Sequence, residues 1–282
     1  MTRRRFPVGK TLLYVFMSLW ALTTIYPFIW VILNSFKPRG LIRSDTFSLP
    51  IGDKFTLENY VTAFKRVDIG TAYVNSIVIS GAVTVVVMVL AGLAAYAMVR
   101  YSFRLRGFLH SMIIASMMFP VFSTIIPVFR MESSWGIVNT GSIWLTRLSV
   151  VLPQIAGNLS FVLMGFIRSL PVDLEEAAYL EGYNVYQIFF RIIMPLAKPS
   201  FATVGIFTFL WSYNDLFLQM FFLRSKKFFT ITRLLNEISS QAGTNYGLMV
   251  AAVVMVVIPV LVVYIFLQNY IIKGMTAGAV KG

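Results

Sequence analysis

Six long apolar blocks constrain the fold of this sequence more than any other feature. A helix that crosses a bilayer needs about 20 consecutive, mainly apolar residues. The blocks reach that length, and the links between them are too short to form a separate soluble domain. We therefore predict an all-α, polytopic membrane helix bundle of six transmembrane helices, in a single domain over residues 1–282. The predicted spans are residues 11–34, 72–98, 108–128, 148–167, 200–222 and 247–272.

The composition fits a chain whose solvent is the bilayer. Hydrophobic residues make up 58% of the sequence, more than a soluble domain of this size can bury. The formal net charge is +13, and the basic residues stand between the apolar blocks, where they suit membrane flanks better than a nucleic acid. The absence of cysteine and the single histidine, His110, exclude thiolate metal sites and histidine-rich clusters. We predict no catalytic residue, no metal site and no bound cofactor.

The basic residues give only a weak prediction of orientation. Arginine and lysine favour the cytoplasmic side of a membrane, yet the two sides of the predicted bundle carry equal numbers of them. The cluster at residues 3–5 and the short loop at residues 100–106 favour a cytoplasmic N-terminus. The N-terminal apolar run is longer than the core of a signal peptide, so we interpret it as an uncleaved first span.

The link at residues 170–199 carries the most specific pattern. Asp173 is predicted to cap a short helix, with Glu176 at the reciprocal position of a capping box. Gly182 suits the left-handed conformation that ends a helix. The pattern therefore predicts a short helix that a glycine turn ends.

A second short helix is predicted directly after that turn. Asn184 can cap it, with Gln187 at the reciprocal position, and Pro195 and Pro199 interrupt it before the next span. Two interpretations of the pair of helices stay open: a patch that fits the groove of a partner protein, or a well-capped connector at the membrane surface. The residues of the apolar and aromatic patch are Tyr179, Tyr183, Val185 and Tyr186.

One run within this link has several fixed spacings. It reads Glu176-Ala-Ala-x-x-Glu181-Gly182, and Phe189, Ile192, Pro195 and Pro199 follow it. The run resembles the EAA loop of bacterial ABC-importer permeases, with Glu181 for the usual aspartate and Tyr183 for the usual alanine. The resemblance implies coupling helices that dock into a cleft of a cytoplasmic ATPase subunit. The implied coupling residues are Glu176, Ala177, Ala178, Glu181, Gly182 and Tyr183.

Further motifs cover almost the whole chain. They are Phe55-Thr-Leu-Glu-Asn-Tyr60, Asn75-Ser76, Ala94-Ala-Tyr-Ala-Met-Val-Arg100, Trp211-Ser-Tyr-Asn-Asp215 and Gly274-Met-Thr-Ala-Gly-Ala-Val-Lys-Gly282. They resemble the carbohydrate-importing, maltose-type branch, in particular its smaller permease. That branch implies a bacterial inner-membrane location with both termini cytoplasmic and a heterodimer with a second, dissimilar permease. It also implies two cytoplasmic ATP-binding subunits, which hold ATP and magnesium, and an extracellular sugar-binding protein.

Polar residues inside the apolar blocks are candidates for the translocation path. Asn214 and Asp215 lie well along the predicted fifth span, and an ionisable group inside a span is costly, which marks a functional site by default. Trp211 and Asn75 join them as candidates, and helix capping or packing is the alternative role. Gln154 and Asn158 raise the same question with less force.

The positions of two further segments in the chain resemble those of functional segments in the maltose-type branch. Residues 229–247 resemble an external loop that reaches into the binding protein, and residues 276–282 resemble a cytoplasmic tail that touches the ATPase pair. A solvated connector is the alternative for both segments.

Two other functions stay open on the sequence alone. A permease of the same superfamily for a peptide or an osmolyte would have the same coupling loop. An ion-coupled secondary transporter should show ionisable residues at the membrane midplane and repeated halves, whereas this chain offers Asp215 as its one clear candidate and no repeat. We predict the membrane-spanning subunit of an ATP-driven importer for a sugar or oligosaccharide, and not an enzyme.

Overall fold

The computed structural model describes residues 8–66, 68–155, 160–242 and 245–279 of the chain. Within these ranges the regular structure is helical throughout, and no strand occurs. In chain order the helices are α1 (Val8–Ser35), α2 (Arg39–Ser44), α3 (Glu58–Arg66), α4 (Ile69–Arg100), α5 (Arg106–Met118), α6 (Val121–Ser134), α7 (Ile143–Val151), α8 (Ser160–Ile167), α9 (Asp173–Leu180), α10 (Val185–Leu196), α11 (Lys198–Asn214), α12 (Phe217–Phe222), α13 (Ile231–Ala242) and α14 (Tyr246–Ala279).

Three helices are long and apolar enough to cross a membrane without a break. They are Gly9–Ser35 within α1, the whole of α4, and Tyr246–Phe266 within α14. At 1.5 Å per residue, the 32 residues of α4 extend over about 48 Å, which exceeds the hydrocarbon thickness of a bilayer. These helices coincide with the predicted spans at residues 11–34, 72–98 and 247–272.

The predicted span at residues 108–128 is not one helix. Helices α5 and α6 meet there at an angle of 108°, and the break falls at Phe119 and Pro120. Phe119 takes an extended conformation (φ −76°, ψ 127°), because the ring of a following proline disfavours the helical conformation at the residue before it. The pair forms a broken span or a re-entrant loop, where the apolar run alone predicted a straight helix.

Two more predicted spans are interrupted. At residues 148–167 the structure has α7, a 3₁₀ turn at Leu152–Gln154 and then α8, and residues 156–159, which include Asn158, lie outside the described part. At residues 200–222 helix α11 ends before Asp215, and the short helix α12 follows. Among the described residues three helices are long enough to span, or five spans if each strongly bent pair of helices is one span, so the count of six stays a prediction.

The described residues divide into two compact units. The first unit lies within Met1–Asp68 and Leu235–Ile258, and the second lies within Ile69–Leu234 and Pro259–Gly282. In the first unit the buried side chain of Asn59 donates hydrogen bonds to the backbone oxygens of Ser35 (2.9 Å) and Lys37 (2.8 Å). These bonds fasten α3 to the end of α1.

The core of the second unit is built around α4. Its small and β-branched residues pack against α8 and α11, and Gly92 lies in a tight contact with Phe201 of α11. A Cβ atom added to Gly92 would lie 2.7 Å from Cε1 of Phe201, so only glycine fits there without displacement of the ring. Helix α4 therefore packs closely against α11 at this position.

The two segments at the end of the chain are only partly described. Most of residues 229–247 form α13, and residues 243–244 lie outside the described part. Helix α14 extends to Ala279, so the end of the predicted tail at residues 276–282 also lies outside it.

Candidate functional site

The first helix of the link at residues 170–199 begins one residue earlier than predicted. Val172 already has a helical backbone (φ −69°, ψ −31°) and occupies the N-cap position, and no side chain caps the helix there. Asp173 is therefore part of the first turn, and the predicted capping box with Glu176 is wrong. The carboxylates of this turn instead lie near the positive end of the helix dipole, which stabilises them.

The turn after this helix is confirmed in detail. Gly182 has φ +85°, a conformation that costs other residues about 1–2 kcal/mol. The amide of Tyr183 donates to the oxygen of Ala178 (3.0 Å), and the amide of Gly182 donates to the oxygen of Tyr179 (3.0 Å). This pair of bonds is a Schellman motif, which satisfies the last carbonyl groups of α9.

The second helix of the link begins with the predicted capping box. The side-chain oxygen of Asn184 accepts from the amide of Gln187, and the side-chain oxygen of Gln187 accepts from the amide of Asn184, both at 2.9 Å. The helix then runs to Leu196 through a π-helical turn at Phe189–Ile193. Pro195, which has no amide hydrogen for the preceding turn, follows directly after that irregularity.

The link and the following helix lie almost at right angles. Helix α10 meets α11 at 85°, with the break between Leu196 and Lys198. If α11 runs along the membrane normal, α10 therefore lies close to the membrane plane. The link is a helix, a turn and a helix at the end of a membrane segment, as the sequence predicted.

The outer side of this link carries an apolar patch with acidic neighbours. Leu180, which is not among the predicted patch residues, is 90% exposed, the largest value among the large apolar side chains that the structure describes. Tyr179, Val185 and Tyr186 are also exposed, and Tyr183 is half-buried. We call the set of Tyr179, Leu180, Tyr183, Val185 and Tyr186 the coupling patch.

The predicted coupling residues differ in their exposure. Glu176, Ala177, Glu181 and Gly182 are exposed, so they are open to a partner. Ala178 is buried, with 6% of its surface exposed. Its small side chain lets α9 pack against its own chain, and a contact of Ala178 with a partner stays a prediction.

A buried ion pair fastens the link to the end of α4. Nε of Arg100 donates to Oε1 of Glu175 at 2.5 Å, and Nη2 of Arg100 donates to the oxygen of Leu170 at 2.8 Å. The hydroxyl of Tyr96 donates to the other carboxylate oxygen of Glu175 at 2.8 Å. Both oxygens of the carboxylate are thus satisfied, as a charge away from water requires. The cluster joins α9 to the end of α4.

A second contact joins the same two elements nearer to the surface. The hydroxyl groups of Tyr101 and Tyr179 lie 2.5 Å apart. This hydrogen bond is the main cause that raises the pKa of Tyr179. One tyrosine of the coupling patch is therefore held by the residue that follows α4.

The sequence analysis missed the role of Arg100 and Glu175. In the sequence, Arg100 stands out only in the basic loop at residues 100–106 and as the last residue of the Ala94–Arg100 motif, and no role is predicted for Glu175. One signal was available: Glu175 and Ala178 are three residues apart and share a helix face, and that face is the buried one. The partner of Glu175 lies 75 residues away, which no local pattern reveals.

The four candidates for the translocation path have different surroundings. Trp211 (65% exposed) and Asn214 lie on an open face of α11, three residues apart. Oδ1 of Asp215 accepts from the amide of Leu218 at 3.1 Å, so this carboxylate caps the start of α12. This is the helix-capping role that the sequence left open as the alternative to a role in the translocation path.

Asn75 is not open to a path in this chain. Its side chain is buried, and its amide nitrogen donates to the oxygens of Lys227 (3.3 Å) and Phe229 (3.1 Å). Its amide oxygen accepts from Nη2 of Arg147 at 2.9 Å. Asn75 therefore fixes the backbone of residues 227–229, and its place on the translocation path stays a prediction.

The described residues contain no group of three or more His, Asp or Glu side chains that could hold a metal ion.

A family comparison decides the class of protein. Residues 87–277 match the family described as "Binding-protein-dependent transport system inner membrane component", and this range is more than half of the chain. The chain belongs to this family. It is a permease subunit of a membrane transport system.

The permease is similar over most of its length to characterised relatives. It is 34% identical to the diacetylchitobiose uptake system permease protein NgcG of Streptomyces coelicolor, over 95% of this chain and 88% of that protein. It is 30% identical to the arabinooligosaccharides transport system permease protein AraQ of Halalkalibacterium halodurans, over 100% of both chains. It is 31% identical to the melibiose/raffinose/stachyose import permease protein MelC of Bacillus subtilis, over 91% of both chains.

The fold of the permease is also found in a solved structure. A chain of a bacterial ABC transporter involved in the import of the acidic polysaccharide alginate matches with a TM-score of 0.81 and 23% identity. The match covers 96% of this chain and 99% of that one. The predicted fold class, an all-α membrane bundle like that of an ABC-importer permease, is confirmed.

Proposed function

We propose that this permease forms half of the translocation path of an ATP-driven importer for a sugar or oligosaccharide. An extracellular binding protein delivers the solute, and the link at residues 170–199 couples the permease to cytoplasmic ATPase subunits. The observation that carries the coupling role is the exposed coupling patch on a link that the Arg100–Glu175 ion pair fastens to α4.

The solute class is supported by the relatives. NgcG, AraQ and MelC are all named for the uptake, transport or import of short oligosaccharides. A peptide or osmolyte permease would have the same link, so the link does not discriminate between solutes. The choice of a sugar depends on these relatives and on the resemblance of the Trp211–Asp215 region to the carbohydrate branch.

The proposed assembly has a second, dissimilar permease and two ATP-binding subunits, which hold ATP and magnesium. Both termini lie in the cytoplasm, on the side of the coupling patch. An apolar patch of this kind on a soluble surface is costly unless a partner covers it. Exposed carboxylates of Glu176 and Glu181 beside it suit a partner cleft with basic groups.

The described contacts allow a mechanical sequence. When the ATPase subunits close on ATP, they move the coupling patch, and α9 and α10 move with it because the glycine turn and the capping box hold them together. The buried cluster of Arg100, Glu175 and Tyr96 passes the displacement to the end of α4. Helix α11 follows because it is packed against α4 at Gly92. Reorientation of these helices then opens the path to the other side.

The open face of α11 is the part of the described chain that we assign to the path. Trp211 offers an aromatic surface, and the amide of Asn214 has hydrogen-bonding capacity beyond its one bond to the oxygen of Leu210 (2.8 Å). A sugar needs both kinds of contact, because its rings have apolar faces and its hydroxyl groups need partners. A contact with the second permease is the alternative for this face.

Co-purification tests the proposal. The tagged permease is extracted gently from native membranes, and the proteins that accompany it are identified by mass spectrometry. We expect a second permease and an ATP-binding subunit. The variant Leu180→Arg places a charge in the apolar patch and should lose most of the ATP-binding subunit. Because Leu180 is exposed, the fold of the permease itself should be unaffected. Phe47→Arg, a substitution of another highly exposed apolar residue (81%) outside the patch, should retain it.

Recovery of the chain alone, or only with copies of itself, would contradict the importer assignment. An ion-coupled transporter would then be the function to test. Recovery of both partners with equal retention in Leu180→Arg and Phe47→Arg would contradict the coupling role of the patch and leave the importer assignment intact.

A further inference from the structure

Three cations stand together on the short segment between α12 and α13. Arg224, Lys226 and Lys227 are all exposed. The described residues include no ion pair with any of them, although the guanidinium of Arg224 lies 5.2 Å from the ring centre of Phe129. We call these three residues the basic tip.

The root of this segment is buried, in contrast to its tip. Phe228, Phe229, Thr230 and Ile231 are all buried. The amide nitrogen of Asn75 binds the backbone oxygens of Lys227 and Phe229, as described above. The segment is thus held to the first turns of α4 by its backbone, and its cationic side chains stay exposed.

Further hydrogen bonds fix the same root. The hydroxyl of Ser76 accepts from the amide of Ile231 at 2.8 Å. The hydroxyl of Thr230 bonds the side-chain oxygen of Gln219, and the hydroxyl of Thr232 donates to the oxygen of Tyr213 at 2.7 Å. A loop that only joined two helices would not need so many buried anchors. A loop that must present three charges in a fixed position would need them.

The basic tip and the coupling patch lie at opposite ends of α4. The anchor of the tip is Asn75, and the anchor of the patch is Arg100. The 25 residues between them extend over about 37 Å of helix, slightly more than the hydrocarbon core of a bilayer. If the coupling patch is cytoplasmic, as the proposed function has it, the basic tip is on the external side.

No exposed carboxylate of the second unit offsets the tip. Four of the six acidic residues in 69–234 belong to the link at the other end of α4, as Asp173, Glu175, Glu176 and Glu181. The other two are Glu132, which is buried, and Asp215, which caps α12. The general preference of basic residues for the cytoplasmic side does not account for a cluster at this end.

We propose that Arg224, Lys226 and Lys227 are a docking surface for an acidic face of the solute-binding protein. This inference rests on the proposed function and names one contact within it. A rigid cationic surface on the external side steers an oppositely charged partner and fixes its orientation. A binding protein is favoured over lipid headgroups, because membrane attraction of basic segments is strongest at the cytoplasmic leaflet and because the family is binding-protein-dependent.

The test uses the complete complex in nanodiscs and the purified binding protein that stimulates its ATP hydrolysis. Hydrolysis is measured against the concentration of binding protein at low and high salt. The neutral variant Arg224→Gln/Lys226→Gln/Lys227→Gln should need about tenfold more binding protein for half-maximal stimulation at low salt, with an unchanged maximum. High salt should bring the wild-type protein to the level of the variant.

A charge-keeping variant is the matched control. Arg224→Lys/Lys226→Arg/Lys227→Arg changes the same three side chains and should behave like the wild-type protein. An equal shift in both variants, or a shift that salt does not alter, would overturn the inference. So would a shift that occurs in nanodiscs with phosphatidylglycerol and not in those with phosphatidylcholine alone, because the tip would then bind lipid headgroups.

One outcome separates this inference from the proposed function. If no binding protein stimulates hydrolysis by the wild-type complex, the proposed function fails, and the docking surface fails with it. If stimulation is normal and the neutral variant matches the wild-type protein at low salt, only the docking surface is wrong.

Discussion

The two ends of α4 hold their neighbouring segments by different chemistry. At the amino end, neutral side chains of Asn75 and Ser76 bind backbone groups of residues 227–231. At the carboxyl end, the charged side chains of Arg100 and Glu175 form a buried ion pair. Each neutral bond adds about 1 kcal/mol to stability, whereas loss of one partner from a buried ion pair costs about 3–5 kcal/mol.

This difference suits different tasks at the two ends. The link at residues 170–199 must pass a force from a moving partner to α4, and a buried ion pair resists displacement because separated charges in the interior are costly. The segment behind the basic tip has only to keep its position while a partner binds. Several weak bonds are sufficient for that.

The largest expected effect comes from breaking the ion pair. Glu175→Ala leaves the guanidinium of Arg100 buried without its charge partner, and we expect the free energy of unfolding to fall by about 3–5 kcal/mol. Arg100→Met/Glu175→Leu removes both charges and should recover much of that loss. A double-mutant cycle on unfolding in detergent measures the coupling. Additive effects of Glu175→Leu and Arg100→Met, each measured alone and then together, would show that the two residues do not depend on each other.

The other end of α4 should be more tolerant. Asn75→Ala leaves two carbonyl oxygens and one arginine donor without their partner, and we expect a loss of about 1–3 kcal/mol in the free energy of unfolding. Stimulation of hydrolysis by the binding protein should weaken, while retention of the ATP-binding subunit stays normal. Asn214→Ala, at an exposed amide, is the control for unfolding only, because Asn214 is assigned to the translocation path. A greater loss for Asn75→Ala than for Glu175→Ala would reverse the comparison.

The glycine turn of the link gives a smaller effect. Gly182→Val forces a β-branched side chain into φ +85°, and we expect a cost of about 1–2 kcal/mol together with weaker retention of the ATP-binding subunit. The space around Gly182 is open, so the cost comes from the backbone and not from a clash. Gly141→Val is matched, because Gly141 is also open but does not have a positive φ. Equal retention of the ATP-binding subunit by Gly182→Val and Gly141→Val would show that the turn at Gly182 has no part in the contact.

The smallest effect separates the two helix starts in the link. Asn184→Ala removes the confirmed capping box and should cost about 1 kcal/mol. Asp173→Ala should cost less, about 0.3–1 kcal/mol, since Asp173 acts only through the helix dipole. Thermal unfolding of the two variants side by side checks the order. A larger loss of thermal stability for Asp173→Ala than for Asn184→Ala would indicate that Asp173 caps α9 after all, although the structure shows no side-chain cap there.

Local chemistry made much of the link predictable. Gly182 and the pair Asn184 and Gln187 determine the backbone next to them, so their roles follow from the sequence. The predicted start of α9 is one residue too late, because Val172 also adopts the helical conformation and no neighbouring residue prevents it. The exposure of Leu180 and the burial of Ala178 depend on which side of α9 meets α4, and that is tertiary information.

The predicted spans also show what local sequence patterns can and cannot predict. Apolar length locates α1, α4 and α14 well, because a long helix needs little else. It overlooks the bend at Pro120 and the break at Asp215, since hydropathy averages over a window that contains both. The ion pair of Arg100 and Glu175 was out of reach for the same reason as the anchors of the basic tip: the partners are far apart in sequence.

Cross-linking tests the central claim most directly, and the chain is suited to it because it has no cysteine of its own. A single cysteine is introduced either at the exposed Ala177, beside the coupling patch, or at the exposed Ser225, within the basic tip. Each is labelled with a photoreactive maleimide in the assembled complex. We predict that Ala177→Cys captures the ATP-binding subunit and Ser225→Cys captures the binding protein. Capture of the binding protein from Ala177→Cys, or no capture of the ATP-binding subunit there, would contradict the coupling role of this link.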